Sequence, residues 1–509
     1  MRPIVLATVV LAASAAAVFL ARSAEPFYPV SDIALTELFT REAAHGRLIV
    51  GPYSRFGWHH PGPTCFYLLA PFYAAGGGHT AALDAGAFAL SLVALAIVAW
   101  IGQRYVSATF SIAVIAGIFL VTARLPPLLV SSWNAHVVVL PAAAFMVTAA
   151  AVGVGHDALL PLLAGLASFL AQTDVALVPF VAVIGAAAAA LGAGSIRPRT
   201  IAWTAVTVAA LWALPLGEQL TNQPGNVVRL WRFFVAGAGG RLGTADAAAI
   251  WSNALTAPLR PGFILARGSP IEPDWSTLHV ALACVLVALV AIAAGVAIRR
   301  GARPLARLAL LALAASLVTL WSASRIEGGV SDHQSFWFAI VGVLDAAAIV
   351  AVWTPSARPR GARAITGMIL AIILVVGLRQ MDIARHGGIP VTDSAPSAPN
   401  FAASIRRYLE RTKSQRPLFR LDERQWGLGV AILLQLDRAG VAFAVENDWM
   451  PMFPDRFRET GQEDAELTLA ARGQRLDLAG RPGNETVDES TFIHVEAVRL
   501  SSRVGAPRP

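Results

Sequence analysis

The sequence predicts an α-helical polytopic membrane protein. It should form a bundle of about eleven transmembrane helices with a large first outer loop, followed by a small C-terminal α/β domain. Three observations predict this. The 509 residues are 56% hydrophobic and only 14% charged, with mean hydropathy +0.60, whereas soluble domains carry about 25% charged residues. The apolar residues gather in runs near the roughly 20 residues that a helix needs to cross a bilayer. Beyond residue 380 the chain turns polar, with helix-like and strand-like segments in alternation.

The apolar runs lie near 4–20, 80–101, 108–123, 136–153, 157–171, 175–193, 200–216, 278–297, 304–321, 335–353 and 364–380. With a cytoplasmic N-terminus, the inner loops hold Arg104, then Arg197 and Arg199. They also hold Arg299, Arg300, Arg303 and Arg307, and finally Arg358, Arg360 and Arg363. The last two clusters are the densest basic runs between spans, and both fall inside, as the positive-inside rule requires. The outer side then receives 22–79, 217–277 and everything after about 380. The first run could instead be a cleaved signal peptide, Ala-rich up to Ser23, without changing the remaining topology.

This division gives a transmembrane domain over 1–380, its first outer loop at 22–79, and an extracytoplasmic tail over 381–509. The tail reads as a helix at 402–412, a strand at 417–421, a helix at 424–439, a strand at 441–445 and a last strand at 491–498. Its Trp426, Trp449 and Met450 to Phe453 suit a carbohydrate surface or contacts that dock the tail. The net charge of +8 is almost all Arg, with Lys413 the single lysine. A basic balance can signal nucleic acid; here many Arg residues fall in short loops between apolar runs, so no nucleic-acid partner is expected. Cys65 and Cys284 give neither a metal spacing nor a disulfide framework.

The first outer loop carries the densest chemistry. In SDIALTELFTREAAHG, Ser31 or Asp32 can cap a helix whose Leu35, Leu38 and Phe39 share one face. Such a helix should lie on the outer membrane surface, with Glu37 and Arg41 as an i, i+4 ion pair. GPYSRFGWHHPGP follows, Gly51 to Pro63. Its prolines fix backbone angles and its glycines permit turns, so the loop is shaped. It holds Arg55, His59 and His60 at the lipid–water boundary. An arginine fork grips two phosphate oxygens, and a histidine donates a hydrogen bond or moves a proton. The alternative for the cluster is an aromatic and basic interface anchor. TCFYLLAPFY, half a span long, re-enters the outer leaflet or lies on it.

The order of first span, loop with an early Asp, amphipathic helix and Gly/Pro-rich loop ending in HPGP resembles the membrane glycosyltransferases of the GT-C superfamily. More narrowly, it resembles the protein mannosyltransferase and aminoarabinose transferase group. SSWNAH (Ser131 to His136) and PLGEQLTNQPGN (Pro215 to Asn226) extend the resemblance. It covers roughly residues 1–350 as an architecture and implies a GT-C-like bundle in a bacterial plasma membrane. It also implies transfer of a sugar from a polyprenyl phosphate or diphosphate to a glycan, lipid or protein acceptor at the outer face, with inversion. Asp32 occupies the position of the acidic base. Inverting transfer needs a carboxylate for the acceptor proton and positive charge for the departing phosphate. Asp32, with Glu37 in reserve, therefore stands as catalytic carboxylate, and Arg55, His59, His60 and Arg325 as the phosphate-binding set. Asn134, His136, Asp174, Glu218, Gln219, Asn222 and His333 are the expected substrate-binding residues, with helix capping the competing role for several of them. Two departures stand out: Asp32 has no adjacent acidic neighbour, and Asp174 follows Gln172–Thr173 where some relatives place His. No metal-ligand spacing is visible, although the resemblance admits a divalent cation bridging Asp32 and a phosphate. A transporter or flippase of lipid-linked sugars, using the mid-span Asp345, and a non-catalytic cell-envelope assembly protein are the rival readings. The absence of repeated halves speaks against the transporter.

Overall fold

The structure is a computed structural model that describes residues 2–24, 26–236, 241–260, 272–327, 329–354, 394–471, 484–489 and 493–499. The bundle is built from α1 (Arg2–Ser23), α4 (Thr80–Ile101), α5 (Ala108–Arg124), α6 (Val139–Val154), α7 (Leu160–Thr173), α8 (Val178–Gly192), α9 (Pro198–Thr221), α12 (Thr277–Arg299), α13 (Arg303–Ala323) and α14 (Phe336–Trp353). Between them stand α2 (Ser31–Ala44), α3 (Thr64–Ala75), α10 (Asn226–Ala236) and α11 (Thr244–Thr256). Ten expected spans fall on these helices, and the eleventh, 364–380, lies outside the described residues. Among the described residues seven helical segments are long and apolar enough to cross a membrane. The runs at 108–123 and 157–171 fold as shorter apolar helices.

Apolar patterning sets the depth of each helix. A helix apolar all round belongs in the interior, and α6 is buried over almost its whole length, with α14 beside it. By contrast α9 turns Ile201, Trp203, Val206 and Leu216 outward. Asp345 sits in the bundle core, where the Ser316 hydroxyl donates to it at 2.5 Å.

The turns divide into two ends. At one, Arg197 grips Asp157 through two hydrogen bonds of 2.9 Å, and Arg300 reaches the Val352 carbonyl at 2.9 Å. At the other lie the first loop, the start of α6, Asp174, the end of α9 and the turn before α14. Every sequence-derived site residue is at this second end, which is also where the tail docks.

The tail comprises α15 (Ala398–Thr412), β1 (Pro417–Leu421), α16 (Trp426–Arg438), β2 (Ala444–Val445), β3 (Ala465–Ala471), β4 (Glu485–Glu489) and β5 (Ile493–Arg499). Its sheet has the order β2-β1-β3-β5-β4, with β1 parallel to β2 and β3, and β5 antiparallel to both β3 and β4. The sequence reading missed β3 and β4. The first is Ala- and Leu-rich, which mimics a helix, and the second is a charged edge strand, a common protection of open edges. Met450, Phe453 and Phe457 lie in the tail core, and the Trp449 indole donates to the Leu421 carbonyl at 3.0 Å.

The helix α2 differs from its expected place. Its apolar face does not meet lipid: Ala34, Leu35 and Leu38 enter the tail core with Phe401, Ile405, Leu433 and Leu436. Its other side, through Phe39 and Ala43, packs on Phe66 and Leu48. The helix is thus sandwiched between bundle and tail, because the tail offers its stripe a closer-packed partner than a membrane surface. The expected Glu37–Arg41 pair does not form either. Glu37 is wholly buried and takes Arg438 of α16 at 2.7 and 2.8 Å, with the hydroxyls of Tyr73 and Thr80 donating to it at 2.9 and 2.8 Å. Arg41 instead pairs with Asp437 at 2.6 Å.

Candidate active site

The loop from Gly51 to Pro63 is a compact hairpin. Tyr53 and His59 face each other as an antiparallel bridge, and the His60 amide donates to the Pro52 carbonyl at 2.8 Å. Gly57 at the tip has φ +80°, a left-handed conformation that glycine adopts without strain. Gly51 has no room for a side chain, since a Cβ there would run into the carbonyls of His60 and Gly62. The hairpin presents Arg55 at its exposed tip, stacked over Phe56 at 5.1 Å and reaching the Gly329 carbonyl at 3.4 Å.

Asp32 lies in the first turn of α2. The expected cap by Ser31 or Asp32 is absent, because Val30 stands at the cap position and no side chain caps the helix. The Asp32 carboxylate is instead the acceptor of a very short hydrogen bond from the Tyr53 phenol. Dense protein around the half-exposed Asp32 pushes its carboxyl above the usual aspartate range, while the Tyr53 bond pulls the other way. Burial, and next the Asp32 charge, hold the Tyr53 phenol protonated well above its ordinary range. The Arg55 charge acts on Tyr53 and also on His333. The Tyr53 hydrogen bond ties Asp32 to the hairpin whose exposed tip, two residues on, carries Arg55.

A second cluster adjoins it. The Val175 amide donates to His60 Nδ1 at 2.8 Å, so a neutral ring carries its proton on Nε2. That atom faces the Asn134 side-chain amide at 3.5 Å, which suits the amide orientation that presents oxygen. Asp174 lies 3.7 Å from the same ring and caps the turn behind it by accepting from the Ala176 amide at 3.0 Å. Burial pushes the Asp174 carboxyl up to about 6. Burial also lowers His60 to about 3 and His59 to about 4, so both rings are neutral near pH 7 and act as hydrogen-bonding groups without charge. Trp133 lies edge-on to His136 and tilted against His333, with ring centroids 4.9 Å apart in each pair. His136 stacks on Phe336.

Other expected residues are committed elsewhere. His59 packs edge-on to Phe39, and its backbone is gripped from both sides by the Asn226 side chain at 2.8 Å. Glu218 accepts from the Asn226 amide at 2.8 Å and from the Asn222 side chain at 3.2 Å. Gln219 accepts from the Val227 amide at 2.9 Å. These groups start α10 and pin the hairpin. Arg325 stacks on Trp321, 5.0 Å from its ring centre, on the exposed rim. Sequence reasoning missed Tyr53, although its place within the quoted loop and its pairing with Asp32 make it part of the same site. Among the described residues no three His, Cys, Asp or Glu side chains converge to hold a metal ion.

No family model matches the chain, and no curated protein matches it in sequence. Solved structures do match in fold. The crystal structure of ArnT from Cupriavidus metallidurans bound to undecaprenyl phosphate is 12% identical with TM-score 0.58, over 98% of this chain and 99% of that one. Its apo form is 11% identical with TM-score 0.56, over 96% and 97%. The chain is a multi-pass membrane protein with the ArnT fold.

Proposed function

We propose that the chain is a glycosyltransferase that moves a sugar from a polyprenyl-phosphate or diphosphate donor to a glycan, lipid or protein acceptor, with inversion at the anomeric carbon. The site end faces out of the cytoplasm of a bacterial plasma membrane, and residues 1–380 and 381–509 form its transmembrane and outer domains. One observation carries the reading: Asp32 is hydrogen-bonded to Tyr53 of the hairpin that bears Arg55 at its tip, at one end of a bundle whose fold is that of a protein crystallised with undecaprenyl phosphate.

The chemistry follows from those groups. Asp32 takes the acceptor proton as the acceptor oxygen bonds to C1. The C1–O bond to phosphate breaks, and the phosphate leaves with the electron pair. A carboxylate with a raised pKa is a stronger base than an ordinary aspartate, and Tyr53 fixes which oxygen is free. Arg55, at the exposed tip, meets the charge that grows on the phosphate. Asn134, Asp174, His60 and His333 offer hydrogen-bond donors and acceptors to sugar hydroxyls, while Trp133 offers an apolar face. Glu37, locked to Arg438, serves the framework.

The test is transfer of radiolabel from a panel of polyprenyl-phosphate and diphosphate sugars to membrane acceptors, with Asp32→Asn as control. Loss of a general base costs about 10²- to 10⁴-fold in rate. Transfer by the native chain and a loss of that size in the variant are expected. Equal transfer by the two would remove Asp32 from the chemistry.

A further inference from the structure

The mechanism leaves the tail without a task, yet the tail touches the residue next to the proposed base. Ser31 has φ +50°, a left-handed conformation that a non-glycine residue holds only when its surroundings enforce it. The element that faces Ser31 is the first turn of α16, where Gly427 packs so closely that a Cβ would run into the Ser31 hydroxyl. The Ser31 Cβ and amide nitrogen lie only 3.6 and 3.7 Å from that point. Downstream, the same two helices are joined by Glu37 to Arg438 and Arg41 to Asp437, and by Ala34, Leu35 and Leu38 in the tail core. Upstream, the Ala395 amide donates to the Tyr28 carbonyl at 2.9 Å. Contacts thus bracket Asp32 on both sides, and all come from the tail.

We propose that the C-terminal domain is the positioning unit for Asp32. Seated on Ser31 through Gly427, α16 holds the start of α2 in its left-handed turn and so aims the Asp32 carboxylate at Tyr53 and the acceptor. Gly427 and Ser31 are positioning residues, and neither touches substrate. This rests on the reading of Asp32 as base, but the placement of α2 by the tail can be measured without catalysis.

Two substitutions grade the contact in the full-length protein. Gly427→Ala adds a methyl that rotation of the Ser31 hydroxyl can accommodate. Gly427→Val adds branches that reach the Ser31 backbone, which cannot yield without moving Asp32. Hydrogen exchange of the peptide containing 28–36 should rise in Gly427→Val and stay near native in Gly427→Ala. With the donor found active above, kcat of Gly427→Val should fall by about 100-fold, the scale of a misplacement near 1 Å, with KM for the lipid donor within about twofold. The acid limb of its pH–kcat profile should move to lower pH as Asp32 gains water, a change that loss of fold alone would not produce. Adding Ser31→Gly, which removes the hydroxyl and Cβ from the contact and accepts positive φ, should restore part of the activity. Native exchange and native kcat in Gly427→Val would overturn the proposal. Altered exchange with no transfer by the native chain from any donor would sink the enzymatic reading and leave the positioning of α2 standing.

Discussion

At the scale of single residues, the site is set by burial acting against specific partners. The carboxyl of Asp32 is raised by desolvation and lowered by the Tyr53 hydrogen bond. Transfer needs it ionised, so the rate falls as pH drops through its folded pKa, and the acid limb should lie above that of an ordinary aspartate. Tyr53→Phe removes the lowering contribution and should move the limb to higher pH, with a larger loss at pH 5.5 than at pH 8. A pH–kcat series on both proteins checks this, and an unmoved limb would assign the limb to another group. Asp174 gives a stability prediction. Its folded pKa of about 6 exceeds the ordinary value of 3.8, so the folded state holds the proton more tightly. That contribution is complete below the unfolded pKa and is lost as pH rises through 6. At pH 8 the buried charge costs about 3 kcal/mol. Asp174→Asn keeps a capping oxygen for the Ala176 amide. It should raise the unfolding midpoint in detergent at pH 8 and give no gain near pH 3.5. A gain independent of pH would show that burial of the charge is not the cause.

At the scale of elements, the seam between α2 and α16 decides how tail and bundle hold together. Glu37 is fully buried and depends on Arg438. Removing one partner of such a pair leaves an uncompensated buried charge and costs about 3–5 kcal/mol, whereas removing both costs far less. Arg438→Gln should therefore lower the unfolding midpoint and make the tail the first segment cut by protease. Combined with Glu37→Gln, it should recover a large part of the loss, and strictly additive losses would show the pair to be uncoupled. This seam was not legible in the sequence, because its partners stand 401 positions apart. The i, i+4 spacing of Glu37 and Arg41 is a real helical geometry, but a buried carboxylate takes the partner that buries with it. The spans were legible because lipid demands runs of apolar residues. Asp32 and Arg55 stood out in the sequence because polar groups at a span end need a reason. The protein partners of Glu218, Gln219 and Asn222 were not legible, since a sequence does not say which amides a folded turn leaves to be satisfied.

At the scale of the whole molecule, the two ends differ in chemistry, and the proposed orientation rests on that difference. The end with Arg197, Arg199, Arg299, Arg300 and Arg303 is dense in arginine between short turns, and the positive-inside rule assigns it to the cytoplasm. The other end carries the site and the tail, and a polyprenyl-linked sugar displayed on the outer leaflet would meet it there. Cysteine labelling separates this from the inverted arrangement. Cys65 is buried and Cys284 is exposed on an apolar helix facing lipid, so a background lacking both should fold. In it, Glu423→Cys on the tail and Ala193→Cys in a turn of the arginine-rich end place thiols at exposed positions. In intact cells a membrane-impermeant maleimide should label the first and miss the second until the membrane is opened. The reverse pattern would put Asp32 and Arg55 in the cytoplasm, where the donor's sugar would have to be presented on the inner leaflet. Outer labelling would leave the acceptor among the molecules that reach the outer face, and the same intact cells, fed a labelled donor precursor, would then show which of them takes the sugar.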